Sequence, residues 1–158
     1  MQKILFTKEE CEKIKNSIKN SPAGSKDNLW YRKYEEFLIM DREILDLVLS
    51  KTKIFGIENI REGRILRYEP GCFFNIHKDA YDEQPHRYKT LIIQLSDEND
   101  YSGGKMIFGN DVLNKKIGST AFFDSTTLHG MEIIEGGIRY SFVVWLERHD
   151  LGIKKNIL

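Results

Sequence analysis

The sequence predicts a mainly β protein with helices at its N-terminal end, an α+β fold, and two patterns support this. Up to about residue 55, apolar residues recur at helical spacing in two segments. From about residue 57, short apolar runs are separated by turn-forming stretches such as 97–100, 102–104, 109–111 and 135–137. Strands at such short spacing predict a sandwich, barrel or jelly roll rather than alternating βαβ units.

Two helices are predicted ahead of the β region. Thr7 and Glu10 have the spacing of a capping box, and the apolar residues that follow share one helical face. Asp41 is a good N-cap for a second helix, and Gly56 beyond its basic end is a normal stop signal. The segment 29–40 between them is ambiguous between helix and strand.

Several strands are predicted after the helices: 64–68, 73–78, 88–95, 105–108, 119–123, 131–134 and 139–147. The last of these alternates most clearly. One of its faces is large and apolar, and we expect it to pack against the helices: Tyr140, Phe142, Val144 and Leu146. The other face suits a small anionic ligand, because a buried Arg without an anion is costly: Arg139, Ser141, Val143 and Trp145.

Length and composition limit the classes of protein to which the chain can belong. At 158 residues, of which 41% are hydrophobic, the chain suffices for one domain with a sizeable core and is short for two. Its 24 basic and 24 acidic side chains balance, which gives no support for a nucleic-acid partner. No segment approaches the about 20 apolar residues of a membrane span, and the apolar run at the N-terminus is too short for a signal peptide. Cys11 and Cys72 lie far apart, so we expect no disulfide framework and a cytoplasmic location.

Three residues could form a metal site. His77 and Asp79 are two residues apart in a predicted strand, so their side chains point to the same face. That pair alone is weak evidence, since His-x-Asp is frequent on exposed strands. With His129 from a distant strand it would give two imidazoles and one carboxylate. This set leaves three octahedral positions open, which suits non-haem Fe(II) oxygenases.

The residues around this set resemble a known family. The pattern Tyr68-x-x-Gly71-x-x-Phe74-x-x-His77-x-Asp79 is similar to the signature of the prolyl 4-hydroxylase-type branch of the Fe(II)/2-oxoglutarate-dependent dioxygenases. The likeness extends over roughly residues 60–147, through Arg87-x-x-Thr90, Tyr101-x-Gly103-Gly104, His129 and Arg139-Tyr140-Ser141. It implies a double-stranded β-helix, a cupin-like jelly roll, at 56–148. Supporting helices would occupy 1–55 of a single domain, 1–158.

The resemblance also implies roles for individual residues. Fe(II) would be bound by His77, Asp79 and His129, and Arg139 would pair with the distal carboxylate of 2-oxoglutarate. The remaining cosubstrate contacts would come from Tyr68, Thr90, Gln94, Ser141 and Trp145. Gln94 stands where relatives often carry a Tyr, four residues after the Thr, and its amide could donate a similar hydrogen bond. Arg87 and Tyr81, in the loop 80–88, would contact the substrate.

The implied reaction is hydroxylation of a C–H bond, with proline in a peptide or protein as the leading substrate, and release of succinate and CO2. O2 would be the second cosubstrate, with ascorbate as an accessory reductant. A free amino acid or another small molecule is an alternative substrate. A nucleic-acid demethylase is disfavoured, because its closing signature has a second Arg where this chain has Trp145. The alternative of a different class is a non-catalytic, metal- or ligand-binding cupin-like module. Such a module would be expected to have lost one of four residues that are all present here: His77, Asp79, His129 and Arg139.

Overall fold

The computed structural model describes residues 1–81 and 84–153, and strands predominate in it. The helices are α1 (Lys8–Asn16) and α2 (Arg42–Thr52), with short 3-10 turns at Ser17–Asn20, Lys53–Phe55 and Arg148–Leu151. The strands are β1 (Gln2–Ile4), β2 (Ser25–Leu29), β3 (Arg32–Ile39), β4 (Gly63–Tyr68), β5 (Phe73–His77), β6 (Lys89–Gln94), β7 (Tyr101–Gly103), β8 (Met106–Phe108), β9 (Asp111–Val112), β10 (Ser119–Asp124), β11 (His129–Met131), β12 (Ile134–Gly137) and β13 (Arg139–Leu146).

Both predicted helices are confirmed, together with the residues that start and stop them. The Glu10 backbone N–H donates to Thr7 Oγ1 at 3.2 Å, and the Thr7 N–H donates to Glu10 Oε1 at 2.9 Å. This reciprocal pair satisfies two of the backbone donors that a helix start leaves without partners. Asp41 caps α2, and Gly56 ends the following 3-10 turn with φ +80°.

The strands form an antiparallel sheet that curls on itself. Its order is β1-β10-β6-β13-β4-β3-β5-β11-β8-β9, and β2 pairs with the outer edge of β3. Strand β3 pairs along the same edge with both β4 and β5, so the sheet folds over at β3 into a second, smaller layer. A separate two-stranded ribbon joins β7 and β12. This architecture is the predicted double-stranded β-helix.

The two faces of β13 pack as the alternation predicts. Phe142, Val144 and Leu146 belong to a core that the strands share with the helical residues Leu45 and Val48. On the opposite face, a second core lies between the two layers of the sheet, and Val143 and Trp145 pack into it. The helices therefore cover the outside of the larger layer, and the inside of the roll is left for the site.

The N-terminal part of the chain differs from the prediction of supporting helices at 1–55. It also supplies strands β1, β2 and β3, and the ambiguous segment 29–40 turns out to be β3 and the tip of its hairpin. The prediction of one strand at 131–134 is wrong. Met131 ends β11 beside β8, whereas Ile134 starts β12 beside β7. The chain leaves one pairing partner for another between these two residues, which a run of apolar residues does not reveal.

The two end strands of the sheet are connected by a side chain. Gln2 of β1 donates from Nε2 to the Val112 carbonyl of β9 at 2.9 Å. Its Oε1 accepts from the Asn114 backbone N–H at 3.0 Å. One carboxamide thus bridges the first and the last strand of the order.

The two cysteines lie in different cores and form no disulfide. Burial raises the pKa of the Cys11 thiol to about 12, so it stays protonated at neutral pH. Neither helix in the described part of the chain has the length and apolar character to cross a membrane.

Gly130 offers a test of how closely β5 and β11 must approach. A Cβ at this position would lie 2.8 Å from the Phe74 carbonyl oxygen and 2.9 Å from the Ile76 nitrogen, both backbone atoms of β5. We expect Gly130→Ala to lower the free energy of unfolding by about 1–3 kcal/mol, because the two strands must separate. Urea unfolding measures this. Gly136→Ala, which meets only the Ser102 hydroxyl at 3.1 Å, is the control. Equal stability of the two variants would contradict the close approach.

Candidate metal centre

Strand pairing brings His77 and His129 together. The two residues lie opposite each other in the antiparallel pair β5–β11. Asp79 follows two residues after His77, where its backbone N–H donates to the Ser125 carbonyl at 2.9 Å. That bond turns the chain at the end of β5, so the carboxylate lies between the two imidazoles. The three residues predicted as metal ligands therefore converge.

The donor atoms of this group are close and correctly oriented. His77 Nε2 lies 3.4 Å from Asp79 Oδ1, and His129 Nε2 lies 3.2 Å from Asp79 Oδ2. One ligand atom from each residue lies within 4.8 Å of the others. The Nδ1 atoms contact the carbonyls of Asn75 at 2.8 Å and Thr127 at 2.9 Å. Carbonyls only accept, so Nδ1 carries the proton and Nε2 is left to bind a cation.

Asp79 is held as a carboxylate by its neighbours. Its side chain is buried, which raises its pKa, but close interactions with the imidazoles of His129 and His77 and a hydrogen bond from Thr90 outweigh the burial. The pKa of Asp79 therefore lies well below its usual range. Thr90 Oγ1 donates to Asp79 Oδ2 at 2.7 Å and also contacts the Ser125 hydroxyl at 3.0 Å. These contacts fix the carboxylate before any ion binds.

Aromatic rings enclose the imidazoles. The ring of Phe74 stacks on His77 with centroids 3.7 Å apart, and Phe123 lies 4.9 Å from His129. Residue 74 precedes the first ligand by three positions in the motif. Each ring packs against one imidazole and limits its movement.

These three side chains and the buried Arg139 line one cavity. Its walls are mostly apolar: Leu66, Tyr68, Phe74, Ile92, Met106, Met131, Val143 and Trp145. Three of the predicted cosubstrate contacts, Tyr68, Ser141 and Trp145, line this cavity. The indole Nε1 of Trp145 is buried and has no hydrogen-bond acceptor among the described residues.

Arg139 is a buried cation without an acidic partner in the described part of the chain. It is only 2% exposed. Its Nε donates to Gln94 Oε1 at 3.0 Å, whereas the hydrogen-bond contacts of Nη1 and Nη2 within 1–81 and 84–153 are limited to the sulfur atoms of Met131 and Met106, at 3.2 and 3.8 Å. Thioether sulfur is a weak acceptor, so both terminal nitrogens remain able to bind an anion in the cavity.

Two predicted cosubstrate contacts, Thr90 and Gln94, lie outside the cavity lining. Thr90 uses its hydroxyl to hold Asp79, as described above. The Gln94 amide nitrogen donates to the Ser96 carbonyl and the Tyr101 hydroxyl, so it cannot donate to a ligand as predicted. Both side chains contact residues of the site, Asp79 and Arg139, rather than the space that a cosubstrate would occupy. The contacts of Thr90 and Gln94 depend on the register between paired strands, which cannot be predicted from residue spacing in the sequence.

The predicted substrate contacts differ in environment. The guanidinium of Arg87 lies over the Trp145 ring, 4.0 Å from its centroid, in a wider cleft that shares Val143 and Trp145 with the cavity. Burial lowers the pKa of Arg87, and the charge of Asp79 opposes that shift. Tyr81 is 48% exposed. The loop 80–88 that carries both lies partly outside the described residues, because 82 and 83 are not among them.

Sequence reasoning missed several residues of the site. Met106 and Met131 contact Arg139, and the carbonyls of Asn75 and Thr127 orient the histidines. A usable signal existed for the carbonyls, since each lies two residues before its histidine. The methionines gave none, because they read as ordinary core residues.

A comparison with known families agrees with this geometry. The sequence profile of the 2OG-Fe(II) oxygenase superfamily matches residues 63–147, which is more than half of the chain. The chain belongs to the 2OG-Fe(II) oxygenase superfamily. The matched segment contains all three metal-ligand candidates and Arg139.

Individual relatives of this 2OG-Fe(II) oxygenase are similar over most of its length. A PKHD-type hydroxylase of Synechococcus sp. (strain JA-2-3B'a(2-13)) is 28% identical over 141 residues, which cover 82% of this chain and 61% of the relative. The chain thus spans about three-fifths of that relative's length. A second PKHD-type hydroxylase, from Synechococcus sp. (strain CC9902), is 28% identical over 116 residues, covering 70% of this chain and 52% of the relative.

Solved structures show the same fold. The viral collagen prolyl hydroxylase of Paramecium Bursaria Chlorella virus-1, in its 2OG complex, superposes with a TM-score of 0.71 at 23% identity, covering 92% of this chain and 93% of that one. A Pseudomonas putida prolyl-4-hydroxylase superposes with a TM-score of 0.72 at 15% identity, covering 93% and 91%. Family and fold therefore agree with the resemblance to prolyl 4-hydroxylase-type oxygenases.

Membership in this superfamily implies Fe(II), 2-oxoglutarate and O2, and the residues present fit these groups. The Nε2 atoms of His77 and His129 lie 3.4 and 3.2 Å from the Asp79 carboxylate oxygens, and all three donors lie within 4.8 Å of one another, which suits ligand atoms around one ion. At the other end of the cavity, the buried guanidinium of Arg139 suits a carboxylate, because its Nη1 and Nη2 form a planar fork of donors.

The hydrogen bond from Thr90 to Asp79 predicts a graded effect on metal binding. We expect Thr90→Val to weaken Mn(II) or Fe(II) binding by about 10- to 100-fold, because the carboxylate loses the donor that orients it. Thr90→Ser keeps the hydroxyl and should bind nearly as tightly as the unaltered protein. Anaerobic titration calorimetry measures both affinities, and equal values for Val and Ser would contradict the role of the hydroxyl.

Proposed function

We propose that this chain is an Fe(II)- and 2-oxoglutarate-dependent dioxygenase that hydroxylates proline in a peptide or protein, with release of succinate and CO2. One observation carries the proposal. Two imidazoles and a carboxylate converge at one end of a cavity, and a buried guanidinium with no described acidic partner lies at its other end. A keto acid with a second carboxylate can satisfy both ends at once.

His77, Asp79 and His129 would hold the iron, and their orientation is set by the Asn75 and Thr127 carbonyls and by Thr90. Fe(II), when bound, supplies the activation of O2 that couples decarboxylation of the keto acid to oxidation of a C–H bond. Arg139 would bind the distal carboxylate of 2-oxoglutarate.

Tyr68 and Ser141 would support that carboxylate from the cavity wall. Tyr68 lies opposite Arg139 in the β4–β13 pair, with the guanidinium 5.6 Å from its ring centroid. Burial raises the pKa of Tyr68 despite the charge of Arg139, so its hydroxyl stays protonated and can donate a hydrogen bond. Ser141 offers a second hydroxyl on the same face of β13.

Two kinds of evidence support a peptidyl proline substrate. The curated relatives are PKHD-type hydroxylases, and two solved structures of the same fold are prolyl hydroxylases. Beside the cavity, the wider cleft around Arg87 and Trp145 has room for the residues on either side of a target proline. No observation favours a free amino acid as the substrate.

The reaction class can be tested without knowledge of the substrate. We expect the purified protein to release succinate from 2-oxoglutarate slowly in the presence of Fe(II) and O2, and His77→Ala to abolish this release. His149→Ala changes an exposed histidine on the last 3-10 turn and should leave the rate unchanged. Absence of a visible charge-transfer band on anaerobic addition of Fe(II) and 2-oxoglutarate would contradict the assigned centre.

The role of Arg139 predicts a change in the cosubstrate requirement. We expect Arg139→Ala to raise the KM for 2-oxoglutarate by about two to three orders of magnitude, since a desolvated carboxylate loses its charged partner. Arg42→Ala removes an exposed guanidinium that pairs with Asp46 and serves as the control. An unchanged KM in Arg139→Ala would show that the distal carboxylate binds elsewhere.

The substrate is tested by mass spectrometry of proline-containing peptides and free amino acids, with a gain of one oxygen as the product signal. For a peptide that is modified, Arg87→Ala should raise the peptide KM about tenfold while the KM for 2-oxoglutarate stays constant. Arg148→Ala, a guanidinium stacked on Tyr88 outside the cleft, is the matched control. If only free amino acids gain oxygen, the proposed substrate class is wrong.

A further inference from the structure

Gln94, which stands where the family pattern often has a Tyr, lies beside Arg139. Strand pairing places Gln94 of β6 opposite Ser141 of β13. The side chain is 1% exposed, and it does not line the cavity. Whatever it contributes to the site must therefore pass through Arg139, the cavity residue that it contacts.

The orientation of the Gln94 amide is determined by its partners. Arg139 Nε–H can only donate, so the oxygen Oε1 must face it, at 3.0 Å. The Ser96 carbonyl can only accept, so Nε2 must face that group, at 3.1 Å. The second hydrogen on Nε2 points to the Tyr101 hydroxyl at 2.8 Å. If the oxygen and nitrogen of the amide were exchanged, Nε2 would face the Arg139 Nε–H and Oε1 would face the Ser96 carbonyl. Neither hydrogen bond could then form.

This amide fixes the plane of the Arg139 guanidinium. The group is planar, so a hydrogen bond at Nε also sets the direction of Nη1 and Nη2. Among the described residues, those two nitrogens have hydrogen-bond contacts only with the sulfurs of Met131 and Met106. Without Gln94, such weak acceptors would leave the fork free to rotate within the apolar wall.

We infer that Gln94 is a positioning residue that holds the Arg139 fork at the angle needed to bind a dicarboxylate of the length of 2-oxoglutarate. This rests on the proposed function, in which Arg139 binds the distal carboxylate. A bidentate pair requires the carboxylate and the guanidinium to be coplanar, and a fork held in that plane beforehand loses less freedom on binding. The angle of the fork then adds to affinity without any contact between Gln94 and the ligand.

Selection of chain length follows from the same geometry. The three metal-ligand candidates and Arg139 line the same cavity, so a bound diacid would have to reach from the ion to the guanidinium. Oxaloacetate is one carbon shorter than 2-oxoglutarate, and 2-oxoadipate is one carbon longer. A fork free to rotate would accept these homologues with less discrimination.

The test uses Gln94→Met, which keeps the length and volume of the side chain and removes both polar groups. In the metal-free protein, nitrogen-15 NMR of Arg139 should show a slowly exchanging Nε–H, and Gln94→Met should exchange it faster. This readout requires neither iron nor turnover. Thr52→Val, which removes a buried hydroxyl from α2, controls for general loss of stability.

The second measurement is binding of diacids to the protein loaded with Mn(II). We expect Gln94→Met to weaken 2-oxoglutarate binding by about 10- to 100-fold and to reduce its preference over oxaloacetate and 2-oxoadipate. At saturating cosubstrate, kcat should stay near that of the unaltered protein, because the chemistry lies at the other end of the cavity.

The outcomes separate this inference from the proposed function. If the unaltered protein does not bind 2-oxoglutarate, the proposed function is wrong. If it binds and Gln94→Met changes neither the affinity nor the exchange of the Arg139 Nε–H, the positioning role alone is overturned. Should Gln94→Met fail to fold, Tyr101→Phe removes one of the two groups that hold Nε2, the other being the Ser96 carbonyl. It should weaken 2-oxoglutarate binding about threefold to tenfold, and an unchanged affinity would overturn the role.

Discussion

The register of β13 between β4 and β6 is the constraint on which the rest of the structure depends. It pairs Arg139 with Tyr68 and sets Ser141 beside Gln94 and Trp145 beside Thr90. Side chains alternate along a strand, so a slip of one residue would exchange its two faces. Phe142 and Val144 would then fill the cavity, and the guanidinium would enter the apolar core under the helices. Both edges of β13 are paired over most of their length, which makes such a slip costly.

The cavity combines two polar ends with apolar walls, and each end is stabilised by groups that do not line it. Asn75, Thr127 and Thr90 act on the metal-ligand candidates, and Gln94 acts on Arg139. Pre-set side chains reorganise little when a ligand binds. The same arrangement makes the site sensitive to changes at residues that never touch the ligand.

Features that depend on periodicity or local chemistry could be predicted from the sequence. The capping box at Thr7, the two faces of β13 and the convergence of His77, Asp79 and His129 all follow such rules, the last with help from a family resemblance. The hairpin β2–β3 could not be read, because charged residues dominate it and its alternation is weak.

Contacts that depend on strand register could not be predicted from the sequence. The positions of Thr90 and Gln94 in the chain suggested ligand contacts, yet the pairing of β6 turns both toward other side chains. The domain limits 1–158, the cytoplasmic location, the use of ascorbate and the absence of a nucleic-acid partner stay predictions, since no feature of the fold bears on them.

The bridge made by Gln2 has a consequence for the behaviour of the protein at high concentration. Strands at the end of a sheet expose unpaired peptide groups, which can recruit a strand from another molecule and start aggregation. Here one carboxamide acts as a substitute peptide group, donating to Val112 and accepting from Asn114. The first and last strands thereby engage each other, and the sheet approaches a closed ring. Gln2, a side chain of β1 that does not line the cavity, thus helps to prevent strands of other molecules from adding to the edge of the sheet.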